Sequence, residues 1–485
     1  MGRFALFGAV LLVLAAVYVA AWRIQPSRPS ARPAPPPTAT VTSVTRSCPP
    51  PAPNTGQAHI ALTSMPSGPA AAKSGTGTVA LTAVPPTPPA SKRAVSTRSV
   101  TVSAPGALMT VTAPAAAGLG GTAVAATGPM AAGFEAEQSD TSGMGVVACT
   151  HPGSDMWFVG TGTDGGAPRV RLYLMNTGDL PASVTVAILT DAGLQSGLSA
   201  GITVAPHQFA AENIAPLVHG SVALALHVQT SSGQVAAAVW ESGSSSGAWL
   251  PQAAGPATRL VIPGLTVASS AARLFVTVPG STHARVKVIA FTAQGKFPQF
   301  GSVPVDAPDS ATSSFPLTSL GASAAGLQLT STVPIVAGVL VPGHGIGSFT
   351  TAVAPVTEQG VIAGNPASRG LTVGLVLTAP AAAARATIAV IGAGSASATA
   401  GGQQVTTVKA GHTLAVTVPR SPGARQPFAV VITPLAGSGP IYAARVVTTG
   451  AGGLSAPVAS LLPVPSALTV ITLSPVRNTY SAVLP

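Results

Sequence analysis

Charged, aromatic and sulfur-containing side chains are scarce in this chain of 485 residues. Charged residues make up 7% of it, aromatic residues 4%, and there are two cysteines. Twelve acidic residues leave little material for paired catalytic carboxylates or a calcium cage. Two cysteines exclude a disulfide-dense scaffold and a four-cysteine zinc site. The composition therefore argues against a calcium site and against catalysis by paired carboxylates.

Long apolar runs are also scarce, although the mean hydropathy is +0.50. A bilayer-spanning helix needs about 20 consecutive apolar residues, and one stretch, residues 4–22, comes close to that length. The chain is therefore not a polytopic membrane protein. Its 53 glycines and 47 prolines interrupt the other apolar segments, and proline removes a backbone donor and breaks interior helical turns. Short strands are expected in place of long helices.

Residues 1–24 are predicted to be a signal anchor or transmembrane segment. Arg3 precedes the apolar run and Arg23 follows it. The run exceeds the roughly 7–15 residues of a signal-peptide core, which favours an uncleaved anchor. Val19 and Ala21 are small residues that suit cleavage before Trp22, so a secreted protein is the alternative. We expect a single-pass protein of the cell membrane with an extracytoplasmic C-terminal region, or a secreted one.

Residues 25–57 are proline-rich and are predicted to form a stalk. Such a segment favours polyproline II, a semi-rigid spacer of about 3.1 Å per residue. A passive disordered linker is the alternative. The threonines Thr38, Thr40, Thr42 and Thr45 are candidate glycosylation sites within it.

A β-type pattern of about 100 residues recurs behind the stalk. Leu172, Leu274 and Leu375 stand in similar runs of alternating apolar residues, separated by 102 and 101 positions. A fixed period indicates an array of similar domains, and six or seven short strands with one apolar face are typical of an immunoglobulin-like sandwich. A propeller with two blades of about 45 residues per period is the alternative.

We therefore predict an all-β fold of about four tandem immunoglobulin-like β-sandwich units. Their boundaries are predicted at residues 58–150 for a degenerate first unit, then 151–257, 258–357 and 358–485, the last with a C-terminal extension.

The two cysteines, Cys48 and Cys149, bracket the degenerate first unit. An even number of cysteines in an exported protein favours a disulfide, and nothing near either residue suggests a metal site or a catalytic base. We predict an intramolecular Cys48–Cys149 bridge. Two unpaired thiols, or a bond to another chain, are the alternatives.

The segment that begins at Cys149 carries a resemblance to a known family. Residues 149–160 are CTHPGSDMWFVG and residues 172–178 are LYLMNTG. Together with the single apolar N-terminal segment and the turn at 278–280, they make the chain resemble the actinobacterial DUF5719 family of exported envelope proteins, from about residue 45 to the end. The resemblance implies an envelope location and a β fold. It implies no activity, because the family has none assigned.

Three short patterns match catalytic motifs. Residues 160–165 fit G-x-G-x-x-G, but a dinucleotide site needs a helix there and a strand pattern follows Pro168. Residues 197–201 and 243–247 fit G-x-S-x-G, but a nucleophile elbow also needs a following helix. The eight histidines are scattered, whereas zinc needs three or four converging ligands. We predict no catalytic, cofactor-binding or metal-binding residue.

Three tryptophans, Trp157, Trp240 and Trp249, are the candidate ligand-contact aromatics, with core anchoring as the alternative. Glu135 and Glu137 are interpreted as a solvated pair at a strand end. The net charge is +11, but the basic residues are dispersed, so nucleic-acid binding is not predicted.

The resulting hypothesis is a non-enzymatic extracytoplasmic scaffold or adaptor of the actinobacterial cell envelope. Its expected partners are envelope proteins. A module that binds anionic or neutral wall polysaccharide is the alternative, and a hydrolase is the third possibility.

Overall fold

The computed structural model describes residues 38–53, 55, 57–65, 77–87, 97–102, 105–113, 120–140, 145–165, 169–195, 201–243, 246–266, 271–301, 303–317, 320, 324–343, 346–393, 403–419, 426–450 and 452–472, together with Ala15 and Tyr18. From residue 38 to 472 these segments contain strands, turns and 3-10 helices of three or four residues. The all-β prediction is confirmed. The predicted membrane segment at 4–22 lies outside the described residues apart from Ala15 and Tyr18, and in the described part no helix is long and apolar enough to span a membrane.

The chain divides into two compact units, residues 1–39 with 471–485, and residues 40–470. The described residues of the smaller unit belong to β1 (Thr38–Thr40) and to the strand Val470–Thr472, which form a two-stranded sheet. The larger unit contains the other described strands, which follow one another as four sheet pairs. Each pair encloses an apolar core, so the β-sandwich prediction is also confirmed.

The first sheet pair comprises β2 (Ser43–Cys48), β3 (His59–Ser64), β4 (Gly77–Val84), β5 (Thr97–Val102), β6 (Leu108–Thr112), β7 (Gly121–Thr127), β8 (Phe134–Ser139) and β9 (Val146–Ala148). The strand orders are β2-β7-β4-β5 and β6-β3-β8-β9. Ile60 and Leu62 from one sheet meet Val79 and Val124 from the other in the core.

The second sheet pair comprises β10 (Asp155–Gly160), β11 (Arg169–Asn176), β12 (Ala182–Thr190), β13 (Gly193–Gln195), β14 (Ile202–Val204), β15 (Gln208–Asn213), β16 (Leu224–Ser232), β17 (Ala236–Ser242) and β18 (Gly247–Leu250). One sheet has the order β10-β16-β12-β13, with β14 also on β12, and the other has the order β15-β11-β17-β18. In β12 the predicted alternation is visible, because Val184, Val186 and Ile188 are buried while the residues between them are not. Alternation of this kind buries one face of a strand.

The third sheet pair comprises β19 (Ala257–Leu265), β20 (Arg273–Val278), β21 (Ala284–Thr292), β22 (Gly295–Pro298), β23 (Val305–Ala307), β24 (Ala311–Pro316), β25 (Ala325–Val341) and β26 (Ser348–Thr351). β25 is 17 residues long and belongs to both sheets: its first part pairs with β19 and β21, and its second part with β20 and β26. Pro334 lies at the transition and has no partner in any of these registers. The missing proline N–H therefore removes no bond from either ladder.

The fourth sheet pair comprises β27 (Gly360–Asn365), β28 (Leu371–Ala379), β29 (Ala384–Gly392), β30 (Gln403–Val408), β31 (His412–Thr417), β32 (Phe428–Pro434), β33 (Tyr442–Thr449) and β34 (Val458–Pro463). The strand orders are β27-β32-β29-β30 and β31-β28-β33-β34. Leu375 and Leu377 meet Ile388 and Ile432 in the core.

A residue in the left-handed backbone region precedes the corresponding strand of each pair, β6, β15, β24 and β31. The four residues are Gly106, His207, Ser310 and Gly411, with φ of 93°, 54°, 49° and 73°. Glycine adopts this region at no steric cost, whereas other residues are strained there. The same turn is therefore built with glycine in two pairs and with a strained residue in the other two.

Neighbouring sheet pairs share apolar contacts. Phe275 and Phe349 of the third pair pack in the core of the second. Val446 and Leu461 of the fourth pair pack in the core of the third. The larger unit is therefore continuous in its apolar packing across these two junctions.

The first sheet pair contacts both the second and the fourth. Val147 lies in one apolar cluster with Met175 and Phe209 of the second pair. Ala61 lies in another with Val361 and Val431 of the fourth pair. The four sheet pairs therefore form a closed ring in which the fourth packs against the first.

Part of the predicted stalk belongs to the folded body. Ser43–Cys48 forms β2 and pairs with β7 along its whole length, where an isolated proline-rich spacer was expected. This stretch contains no proline, so all its amides are able to donate to a ladder. The prolines at 49–51 follow the strand.

Candidate ligand-binding cavity and buried charges

A cavity of about 630 Å³ lies where the four sheet pairs meet. Its wall includes the last strand of each pair, with Val146 of β9, Trp249 of β18, Phe349 of β26 and Leu461 of β34. Sites for small molecules typically enclose about 300–1,000 Å³. The closed ring thus creates a space of binding size to which every sheet pair contributes.

One wall of the cavity is the outer face of the sheet β15-β11-β17-β18. Asn213, Arg171, Trp240 and Trp249 are successive cross-strand partners on four adjacent strands. Directly opposed residues of antiparallel strands present their side chains on the same face. All four residues line the cavity.

The ionisable side chains that line the cavity in the described part of the chain are Arg169, Arg171 and Asp140. Both arginines are exposed, and neither belongs to an ion pair found among the described residues. The Asp140 carboxylate accepts a hydrogen bond from the amide of Gly145, at 3.2 Å, within its own turn. The wall is therefore basic on balance.

Two of the three candidate tryptophans meet at this wall. The Trp240 and Trp249 rings are 5.0 Å apart and edge to face, and Tyr173 lies 5.8 Å from Trp249. Both indoles are 7% exposed. Gly247 lies against Trp240 so closely that an added Cβ would come within 2.4 Å of the indole, so this glycine permits the packing of the ring.

Trp157 lies elsewhere. It is buried in the second core, and its ring stacks on His227 with centroids 3.8 Å apart. It does not line the cavity. The structure therefore brings Trp240 and Trp249 together but separates Trp157 from them.

The predicted disulfide is confirmed. Cys48 at the end of β2 is bonded to Cys149, with the Cα atoms 4.3 Å apart. Ser47 and Thr150 exchange two backbone hydrogen bonds beside it, at 2.8 and 3.0 Å. The bridge ties β2 to the segment that follows β9 and packs in the first core.

The interpretation of Glu135 and Glu137 as solvated is wrong, because they are 5% and 4% exposed. Glu135 forms an ion pair with Arg46 of β2, at 2.5 Å. Burial raises the pKa of Glu135 to about 7, and Arg46 opposes that shift. Glu135 and Glu137 are two residues apart on β8, so their side chains lie on the same face of the strand. Phe134 and Ala136, at the positions next to them, pack in the first core.

Glu137 spans the junction that closes the ring. Its carboxylate accepts hydrogen bonds from the amides of Ala363, at 2.9 Å, and Gly364, at 3.0 Å, both on β27. Burial raises the pKa of Glu137, and the positive charge of Arg445 and the two amides lower it. Arg445 is fully buried and donates to the carbonyl of Gly364 and the hydroxyl of Ser460.

Glu241 is a third buried acid. It is fully buried on β17, and its carboxylate accepts bonds from the amide of Thr161, at 3.0 and 3.2 Å, and from the Thr161 hydroxyl, at 2.8 Å. Burial raises the pKa of Glu241 to about 8, and the hydrogen bonds from Thr161 oppose that shift. The contacts of Glu241 are those of a structural group that joins the two sheets of the second pair.

The catalytic patterns fall in loops or outside the described residues. Residues 160–165 end β10 and form a single 3-10 turn, Thr163–Gly165. Ser199 and Ser245 lie outside the described residues. Within the described part of the chain, no three His, Cys, Asp or Glu side chains are grouped so as to hold a metal ion.

Sequence reasoning missed Arg169, Arg171, Glu241 and Arg445. The burial of Glu241 and Arg445 was predictable, because each stands at a strand position where the alternation places a buried apolar residue. Glu241 continues the alternation of Ala237 and Val239, which lie in the second core. A charge at such a position indicates a buried polar contact. Arg169 and Arg171 stand at strand positions where the alternation predicts exposed polar residues, so the sequence does not distinguish them from other exposed arginines.

The fold and the site define an all-β protein of paired sheets around a central cavity. The family model of DUF5719, a family of unknown function, matches residues 100–419. The chain belongs to this family, as the segment 149–160 predicted. No curated protein matches the chain.

One solved structure with a weak likeness is the crystal structure of Streptomyces avermitilis alpha-L-rhamnosidase complexed with L-rhamnose. The identity is 10% and the TM-score 0.12, over 85% of this chain and 55% of that one. The chain thus spans about half the length of that structure. A likeness of this size carries no argument about fold or function.

Proposed function

We propose that this protein is a non-enzymatic scaffold or adaptor of the actinobacterial cell envelope. In this proposal the N-terminal segment anchors the chain in the membrane, or is cleaved, and the remainder lies outside the cytoplasm. The four sheet pairs are copies of one immunoglobulin-like unit, and envelope proteins bind their exposed faces.

The observation that supports the proposal is that each of the four sheet pairs packs against two others, so that the pairs form a closed ring. A chain of independent domains would change its inter-domain angles, whereas Glu137 and the apolar cluster around Ala61 and Val361 tie the last sheet pair to the first. A body closed in this way holds its outer faces in fixed relative positions. Fixed positions suit a protein that brings partners together.

The proposal is tested by photo-crosslinking in cells. A photoreactive residue replaces Leu180 in the second sheet pair or Val405 in the fourth, which are 74% and 58% exposed. Leu174, which is fully buried, provides the matched control. Discrete envelope proteins crosslinked at an exposed position but not at Leu174 would support the scaffold. Recovery of wall polysaccharide alone would count against it.

A second candidate function is the binding of wall polysaccharide. The observation that favours it is the cavity, in which Trp240 and Trp249 lie beside Arg171. Aromatic and polar groups in one concave site are typical of ligand recognition. Retention of the protein on isolated cell wall, and its loss in a Trp249→Ala variant that remains folded, would support this candidate.

A further inference from the structure

Two described arginines elsewhere in the fold lie beside an acid, whereas neither cavity arginine belongs to an ion pair among the described residues, although Arg171 lies within hydrogen-bonding distance of the Tyr173 hydroxyl. Arg46 is paired with Glu135 at 2.5 Å. Arg445 is buried beside Glu137. Arg169 and Arg171 line the cavity and belong to none of the ion pairs found in the described segments. Two guanidinium groups on one strand face, lining a concave space, have the chemistry that recognises an anion.

The lining beside the arginines is suited to a polyhydroxylated ligand. Ser242 is the cross-strand partner of Arg169, and Asn213 is the partner of Arg171 on the other side. Their hydroxyl and amide groups are able both to donate and to accept hydrogen bonds. The indole of Trp240, on the strand next to Arg171, provides an apolar surface beside these polar groups.

We propose that the central cavity binds an anionic saccharide unit, a sugar that carries a carboxylate or a phosphate. Arg169 and Arg171 hold the anionic group, and Asn213 and Ser242 hold sugar hydroxyls. The proposal rests on the second candidate function and is independent of the scaffold. The proposal specifies that the saccharide is negatively charged, whereas the second candidate function does not specify its charge.

Arg273, which stands at the position of β20 that corresponds to Arg171 of β11, provides a control for the loss of one exposed positive charge. Arg273 precedes Leu274 on β20 as Arg171 precedes Leu172 on β11. It is also exposed, but it contacts Ser314, at 3.2 Å, and does not line the cavity. Arg273→Gln therefore removes one exposed arginine of the same strand position without changing the cavity.

The test is calorimetric titration of the full-length protein in neutral detergent. The probes are trigalacturonate for the carboxylate, glucose 6-phosphate for the phosphate, maltotriose as the neutral sugar and inorganic phosphate as the bare anion. We expect one or both anionic sugars to bind, with an affinity that falls as salt is added. Arg169→Gln and Arg171→Gln should each weaken binding about tenfold or more, and Arg273→Gln should leave it unchanged.

Four outcomes would overturn the proposal. The first three are failure of both anionic sugars to bind, equal affinity in the Arg171→Gln and Arg273→Gln variants, and binding of inorganic phosphate as tight as that of the sugars. Quenching of the fluorescence of Trp240 and Trp249 by the bound sugar provides a second readout, and the circular dichroism of each variant checks its fold. The fourth outcome is binding of maltotriose that is insensitive to both arginine variants, which would overturn the anionic ligand and retain the second candidate function. The crosslinking experiment tests the scaffold separately.

Discussion

Replacement of Glu241 by glutamine should change how stability depends on pH. Glu241 is fully buried, and burial raises its pKa from 4.5 to about 8. In the unfolded chain the carboxyl ionises near its ordinary value, so between about pH 4.5 and 8 the folded state binds a proton that the unfolded state has released. Stability in this window therefore falls as pH rises, and it levels off above the folded-state pKa.

The size of the effect follows from the shift. One pKa unit corresponds to about 1.4 kcal/mol, so the shift corresponds to roughly 3 to 5 kcal/mol of unfolding free energy between acidic and alkaline pH. Glutamine resembles the protonated acid and has no charge to bury. Its carbonyl is able to accept the bonds from Thr161 that the carboxylate accepts now. Glu241→Gln should therefore match the wild type near pH 4.5 and exceed it increasingly towards pH 8.

The assay is urea unfolding at pH 4.5, 6, 8 and 9, followed by tryptophan fluorescence with the disulfide kept oxidised. Amide exchange at Thr161 reports the same site locally. The control is Glu212→Gln, which removes a partly exposed carboxylate from β15 in the same sheet. The reasoning is refuted if the difference between Glu241→Gln and the wild type is the same at every pH.

Three further predictions concern stability. Replacing Cys48 and Cys149 together by serine should cost about 4–5 kcal/mol, because the bridge closes a loop of about 100 residues; calorimetry that finds the same melting temperature as the oxidised wild type would contradict this. Ser310→Gly should raise the free energy of unfolding by about 0.5–1 kcal/mol, because glycine adopts the left-handed backbone conformation without strain. The reverse change, Gly411→Ser, should lower it by about 1 kcal/mol. Urea midpoints that move in the same direction for both variants would count against this reasoning. Glu137→Ala should destabilise the contact between the first and fourth sheet pairs by about 3–5 kcal/mol and speed amide exchange at residues 363–364. Glu137→Gln should have a smaller effect on the same exchange rates. Unchanged exchange in Glu137→Ala would show that Glu137 does not hold the two pairs together.

The sequence predicts the local structure of this protein well because local structure depends on alternation. The run at Val184 and the turn residues that bound it specify a half-buried strand without reference to any other part of the chain. The disulfide was predicted from the even number of cysteines together with the expectation that the chain is exported. The separate first unit was harder to delimit, because β2 lies next to a proline-rich segment that resembles a linker.

Ring closure was not predictable from the sequence. The apolar cluster that contains Ala61 and Val361 joins residues 300 positions apart, and a period of about 100 residues is equally consistent with an extended chain of domains. The cavity is a consequence of closure, so Arg169 and Arg171 looked like ordinary exposed residues of a strand. The arrangement of all four sheet pairs places these two arginines in the cavity, whereas Arg273 lies outside it.

The scarcity of charge gives the buried acids a specific importance. The chain has 12 acidic residues, and Glu135, Glu137 and Glu241 are buried at contacts between sheets. A buried charge contributes little net stability, because desolvation offsets the attraction, but a mispaired one is strongly unfavourable. Sheet pairs that contact one another through apolar faces are able to pack in several wrong orders, each of which would leave Glu137 without its two amides and Arg445. We therefore expect Glu137, which bonds to the fourth sheet pair, to select one arrangement of the pairs. Glu137→Leu would then keep secondary structure while broadening the distribution of compact states seen by ion mobility. A single compact state in that variant would show that apolar packing alone selects the ring.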